Sequence, residues 1–242
     1  MNDVVTAFGS AFRSLLHPRM LALAIWPMLF ALGFWVGLAW WHWDSWAQWL
    51  STAITGSWVG QWLSQRTLDI VVHYSTLLLL AILLAPMILM TAVLIAALVE
   101  MPMIVNFVAS RDYPALEKRH GGTMSGSVVN ALVAAVMFAG LWIVTLPLWL
   151  TGVLAPVLPI VLSAYLNQRL FRYDALSDHA GSEEYRAILK AGGGRMYALG
   201  ALLALLYFVP LLNLLAPVLS GLAFTHFCLA RLAELRAQGG ER

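Results

Sequence analysis

MYALGALLALLYFVPLLNLLAPVLSGLAFTHFCLA, residues 196–230, runs for 35 positions without a charged side chain. In hydrocarbon every backbone N–H and C=O must be satisfied within the segment, which a helix does and an open sheet edge does not. The stretch therefore reads as membrane-embedded helix. Three more read alike: 20–41, 68–99 and 128–166. They explain a chain of 242 residues that is 61% hydrophobic and 11% charged. Soluble domains are roughly half apolar and a quarter charged. The expected fold is all-α: a single membrane domain spanning 1–242, with the bilayer as its solvent. A net charge of +2 gives no reason to expect a nucleic-acid partner. The only cysteine, Cys228, lies in an apolar run, so neither an intrachain disulfide nor a cysteine-based zinc site is available. No cofactor is expected.

The basic residues orient the runs. Between Met20 and Glu100 the only Lys or Arg is Arg66. Arg13 and Arg19 precede the first run, and Arg111, Lys118 and Arg119 follow the second. Arg169, Arg172, Arg186, Lys190 and Arg195 separate the third and fourth, and Arg231, Arg236 and Arg242 close the chain. Basic residues collect in cytoplasmic loops. Both termini are therefore expected inside and the 42–66 loop outside, with spanning helices over 20–41 and 68–109. The later two runs must each enter and leave on one side, as helical hairpins over 128–168 and 196–231 joined by a cytoplasmic connector, 169–195. A turn of about five residues near Pro210 and Asn213 leaves arms of about 15 residues, roughly 23 Å against the ~30 Å hydrocarbon core. Two short hairpins that dip in without crossing are expected; four short crossings with tight outer turns are the rival. Helix two, at roughly 48 Å over 68–99, must tilt or project. Pro86 and Pro27 are expected to kink the two spanning helices.

Ahead of the first run, Val4, Val5, Phe8, Phe12, Leu15 and Leu16 recur at helical spacing, so 1–19 reads as an amphipathic helix on the membrane. The first run has spanning length and reads as a retained helix, not a signal core. Trp35, Trp40, Trp41, Trp43, Trp46, Trp49, Trp58 and Trp62 read as an interfacial aromatic belt. Gly192, Gly193 and Gly194 lack the strand and the Lys-Ser/Thr ending of a phosphate loop and read as a flexible joint.

Chemistry is sparse. Of the six histidines no two lie three or four residues apart, which removes a helical metal pair. His226 is either a functional intramembrane ionisable group or an interface-reaching side chain. Ser14, Ser110 and Ser163 lack the glycine elbow of a hydrolase, and nothing in the sequence supports enzyme chemistry. Helix ends offer more. A hairpin that stops within the bilayer starts its second arm there, with unpaired N–H groups and a positive dipole end that suit an anion. Candidate ends lie near Gly152–Pro159 and near Asn213–Pro217, where Asn213 adds a side-chain donor; turn formation by Pro and Asn alone is the plainer reading. Arg19, after His17 and Pro18, either snorkels to headgroups or draws an anion to a pore mouth. Arg169 and Arg172 are candidates for an inner vestibule, against ordinary positive-inside anchoring.

Three stretches carry a family resemblance: LLHPRMLALAIWPML at 15–29, LVEMPMIVNFVA at 98–109, and RLFRYDALSDHAGSEEYRAILK at 169–190. The third holds Tyr173, Asp174, Asp178, His179 and Arg186. With one long spanning pair followed by two hairpins, the chain resembles the CysZ-type sulfate transporters and the wider family named after an etoposide-induced eukaryotic membrane protein. The resemblance implies a bacterial inner-membrane permease or channel, homo-oligomeric, bringing in sulfate or a related anion for cysteine synthesis. It also implies an anion site at a Gly-Leu-Arg-like entry to the first helix, of which only Arg19 is matched here. A second hypothesis, a non-transporting membrane scaffold or envelope protein, needs no pore.

Overall fold

The structure is a computed structural model that describes residues 2–56, 69–149, 154 and 156–240. The expectations for Trp58, Trp62, Arg66 and Gly152 lie outside the described residues. All regular structure among the described residues is α-helical: α1 (Asn2–Leu15), α2 (Pro18–Gly56), α3 (Asp69–Asp112), α4 (Met124–Trp149), α5 (Val157–Ser177), α6 (Ser182–Leu206) and α7 (Pro210–Gly240). By length and composition, three helical segments among them are able to cross a membrane: Pro18–Ala53, Ser125–Leu148 and Leu215–Gln238.

Several boundaries differ from the sequence reading. Helix α2 does not stop at Trp41 but continues to Gly56, since no proline or glycine interrupts 42–55. It also passes through Pro27 without a break in helix. The hairpin arms are unequal, because the helices continue past the apolar runs and turn off-centre. In the last apolar run, 196–206 of α6 amount to roughly 17 Å of helix and 210–230 of α7 to roughly 32 Å, against the ~23 Å expected for each. The last turn occupies 207–209, just ahead of Pro210, which takes the first helical position where its missing N–H costs nothing. Helix α6 continues through Gly192, Gly193 and Gly194, so these form no joint.

The chain divides into two compact units, Met1–Ala24 with Leu98–Arg242, and Ile25–Ala97. In the first, α7 is the central helix. Its residues 218–229 are all buried, and Phe224, Phe227, Leu222 and Leu229 form the core with Met196, Leu199 and Leu203 of α6. A helix apolar all round belongs in an interior. Phe171 of α5 stacks on Phe224 with ring centroids 5.9 Å apart. Packing is close where side chains are missing: an ideal Cβ on Gly200 would sit 2.7 Å from the Ala164 carbonyl oxygen. Small residues let helix backbones approach in this way, which is a main source of helix association where lipid removes the hydrophobic drive. Cys228 lies fully buried in α7. Helix α4 is the opposite case. Val128, Leu132, Val136, Ile143 and Val144 are exposed, and only 6% of its most apolar window is buried. An apolar helix bare on so much of its circumference calls for lipid as solvent.

Helix α1 packs on α7 and α6. Its apolar residues divide between two sides. Val4, Ala7, Ala11 and Leu15 face the core, whereas Val5, Phe12 and Leu16 are exposed along one stripe, as a helix resting on a lipid surface requires.

In the second unit, Trp35 Nε1 donates to Thr91 Oγ1 at 2.9 Å, joining α2 to α3. Trp40, Trp41, Trp43 and Trp49 are exposed on α2, as interfacial indoles would be.

Candidate functional site

The polar chemistry of the first unit gathers at its charged end, around the α5–α6 corner, the start of α1 and the last turns of α7. Glu184 is the hub. It sits in the first turn of α6, where the dipole favours a carboxylate. Arg236 of α7 grips it with Nε on Oε1 at 2.9 Å and Nη2 on Oε2 at 3.0 Å, the forked geometry that makes Arg–carboxylate pairs strong. Arg119 adds a bond of 2.7 Å to Oε1, and the Gly181 N–H donates to Oε2 at 2.8 Å. Arg236 also donates to the carbonyls of His179 and Glu117. One guanidinium thus ties three segments together. The Arg236 bond, reinforced by Gly181 and Arg119, holds the Glu184 carboxyl below its ordinary range. Burial pushes His179 down, with Lys118 and Arg236 adding to it, so the ring is neutral at pH 7. Burial raises Asp174, against a hydrogen bond from Ser127.

These shifts set a pH dependence. His179 takes up a proton more readily unfolded than folded, so its contribution to stability is complete above about 6.5 and declines as pH falls below that ordinary value. Glu184, depressed in the fold, contributes fully above 4.5 and loses its contribution as pH drops through its folded value. Asp174 has the opposite sign: its stabilisation is complete below 3.8 and is lost as pH rises through its raised folded value. On acidification His179 and Glu184 therefore lower the unfolding midpoint while Asp174 raises it, and Glu184→Gln is expected to remove the decline that sets in below about 4.5. Equal low-pH declines in wild type and Glu184→Gln would rule Glu184 out as the cause.

A second polar contact joins α1, α3 and α7. Ser14 Oγ lies 3.0 Å from His226 Nε2, and His226 Nδ1 lies 3.8 Å from Asp112 Oδ2. The order is that of a serine hydrolase, but 3.8 Å exceeds a hydrogen bond. Ser14 is only 4% exposed, and the adjacent cavity is lined by Thr6, Ser10, Tyr113 and His226 instead. The contact satisfies a buried hydroxyl and fastens α1 to α7. His226 is thus buried between helices, bonded to Ser14 and lining a cavity shared with Tyr113.

Asp3 likewise anchors the start of α1, through Arg195 at 2.8 Å and through Arg231.

The four anion-binding candidates sit on three helices, α2, α5 and α7. Arg19 is exposed in the first turn of α2, its backbone N–H 3.3 Å from His17 Nδ1. Asn213 is exposed near the start of α7, its own N–H already bonded to the Val209 carbonyl. Thirteen residues of α7, roughly 20 Å of helix axis, separate Asn213 from His226, the level at which α1 docks. Arg169 and Arg172 share α5, where Arg169 donates to Tyr165 Oη at 2.7 Å and Arg172 to Gln168 Oε1 at 2.8 Å. The Arg172 Nε is buried with no partner among the described residues. The Glu184–Arg236 hub escapes sequence reasoning, since its members lie 52 positions apart. The only local hint is the acidic pair Glu183–Glu184 in the first turn after Gly181-Ser182.

Helices too apolar for water, with cations concentrated at one end of the first unit, define an α-helical membrane protein. The chain belongs to the family described as Sulfate transporter CysZ/Etoposide-induced protein 2.4, which matches residues 7–217. No curated protein and no solved structure matches it.

Proposed function

We propose that the protein is an anion permease or channel of the bacterial inner membrane, carrying sulfate or a close relative inward for cysteine synthesis, as a homo-oligomer with both termini cytoplasmic. The family supports transport, and the placement of the basic residues supports the orientation. The observation that carries the anion reading is Arg19. It stands exposed on the first turn of α2, and no ion pair engages it among the described residues. A free guanidinium at a helix entry concentrates oxyanions without having to shed a carboxylate first. Arg169 and Arg172, bonded only to neutral groups, supply positive charge further along, and Asn213 supplies a neutral donor at the other end of α7. By length and composition α4 and α7 each supply one arm long and apolar enough for a full crossing.

The test is sulfate flux into liposomes holding the purified chain. Arg19→Ala is expected to lower the flux roughly ten-fold or more, the worth of one charge-assisted hydrogen bond, with the unfolding midpoint unchanged. Flux no greater than that of empty liposomes, from folded protein, would favour the scaffold reading.

A further inference from the structure

Asn167 and Ser220 are buried polar side chains whose hydrogen-bonding groups go unused. Asn167, on α5, is 5% exposed and Ser220, on α7, is 0% exposed. Neither Asn167 Nδ2 nor Ser220 Oγ has a hydrogen-bond partner among the described residues. Polar side chains nearby settle theirs on backbone. Thr225 Oγ1 donates to the Gly221 carbonyl at 2.7 Å, and Asn130 Nδ2 donates to the Arg169 carbonyl at 3.0 Å. A hydroxyl on a helix always has that recourse to the carbonyl four residues back, and Ser220 does not take it. The Tyr207 hydroxyl approaches Ser220 without reaching hydrogen-bond geometry. Buried donors left idle carry a free-energy cost, and the bilayer core has no water to offset it.

The two residues stand at one level. Helix α6 is joined to α5 and to α7 by short turns, so it runs against both, and α5 and α7 run parallel. Phe171 of α5 and Phe224 of α7 stack on one another. Asn167 and Ser220 each lie four residues earlier, on the same helix faces and one turn further from the charged end. Asn213 precedes Ser220 by seven residues, roughly 10 Å of axis, again on that face. Arg172, whose Nε is also without a partner among the described residues, follows Asn167 by five, roughly 8 Å. Donors thus succeed one another along the α5–α7 pair, uncharged in the middle and cationic at the end.

We infer that Asn167 and Ser220 form an occluded anion station between α5 and α7, where their N–H and O–H groups receive the oxyanion as the two helices part. This rests on the permease reading, and it supplies the step between Asn213 and Arg172. Neutral donors suit a middle step, because conduction needs binding that is favourable on entry and weak enough for exit, and a fixed cation at that depth would hold a dianion. Neither idle atom is open to water, so the structure holds the station closed.

The experiment measures sulfate flux into liposomes and the thermal unfolding midpoint on the same purified full chain. Asn167→Leu, nearly equal in volume, and Ser220→Ala are each expected to lower the flux roughly ten-fold, the worth of one hydrogen bond to a charged group. The midpoint is expected not to fall in either, and to rise by roughly 2 °C or more in Asn167→Leu, since an idle buried polar group is replaced by an apolar one. A packing role predicts the reverse pattern. Ser220→Ala, the milder change, decides the matter if Asn167→Leu does not fold. Wild-type flux in the folded variants overturns the inference and leaves the permease reading standing. A fall in flux matched by a fall in midpoint overturns it too, and makes the two residues structural. No flux from folded wild type overturns the permease reading, and this inference with it.

Discussion

Arg236→Ala lowers the thermal midpoint of the detergent-purified protein by roughly 6–12 °C. That follows from a loss of about 3 kcal/mol, the low end of the range for breaking a buried ion pair, at about 2–4 °C per kcal/mol for a chain of this size. Both side chains are more than four-fifths shielded, so solvent screening removes little of the effect. The loss is more than one bond. Glu184 keeps Arg119, itself half exposed, and the Gly181 N–H, and the carbonyls of His179 and Glu117 lose their donor. Arg236→Lys restores the charge but not the planar fork, and recovers less than half of the shift. A drop of under 2 °C in Arg236→Ala would mean that the hub is a surface ornament and that the core alone sets stability.

Gly200→Ala and Gly140→Ala move the midpoint in opposite directions. At Gly200 the new methyl would stand 2.7 Å from the Ala164 oxygen and 3.3 Å from its Cα. These are backbone atoms, so no rotamer relieves the clash and α5 must separate from α6. Overpacking of this kind costs about 1–3 kcal/mol. At Gly140 nothing lies within 4 Å. Alanine there only improves helix propensity, by up to about 1 kcal/mol. The comparison is made on the same purified protein by thermal or denaturant unfolding. A Gly200→Ala protein as stable as wild type would show that the two helices do not meet at that level.

Whatever repeats locally was legible in the sequence. The apolar runs foretold helices, and α3, at Asp69–Asp112, falls within a few residues of the expected 68–109. The spacing of Val4 to Leu16 foretold α1, although it did not separate the residues that face the core from those that face outward. What depends on a partner far along the chain was hidden. The triple glycine read as a joint because glycine weakens an isolated helix. In the fold Gly192 faces Phe227 and Met196, and that packing offsets the propensity loss. The 42–66 loop began too early because tryptophans at an interface say nothing of where a helix ends. As for the site, the identities of Arg19, Arg169, Arg172 and Asn213 were readable, but their distances from one another were not. The Ser14–His226 contact joins positions 212 apart and leaves no mark on either local segment.

The sealed position of Cys228 makes this chain unusually convenient for chemistry. It carries the only thiol and is fully buried in α7, so the native protein is dark to water-borne maleimides. Reporter cysteines can be installed one at a time in the wild-type background, without first stripping the protein of its own. Placed along 147–159 and 207–217, they turn the depth of each hairpin into a yes-or-no labelling signal from either face of an intact vesicle.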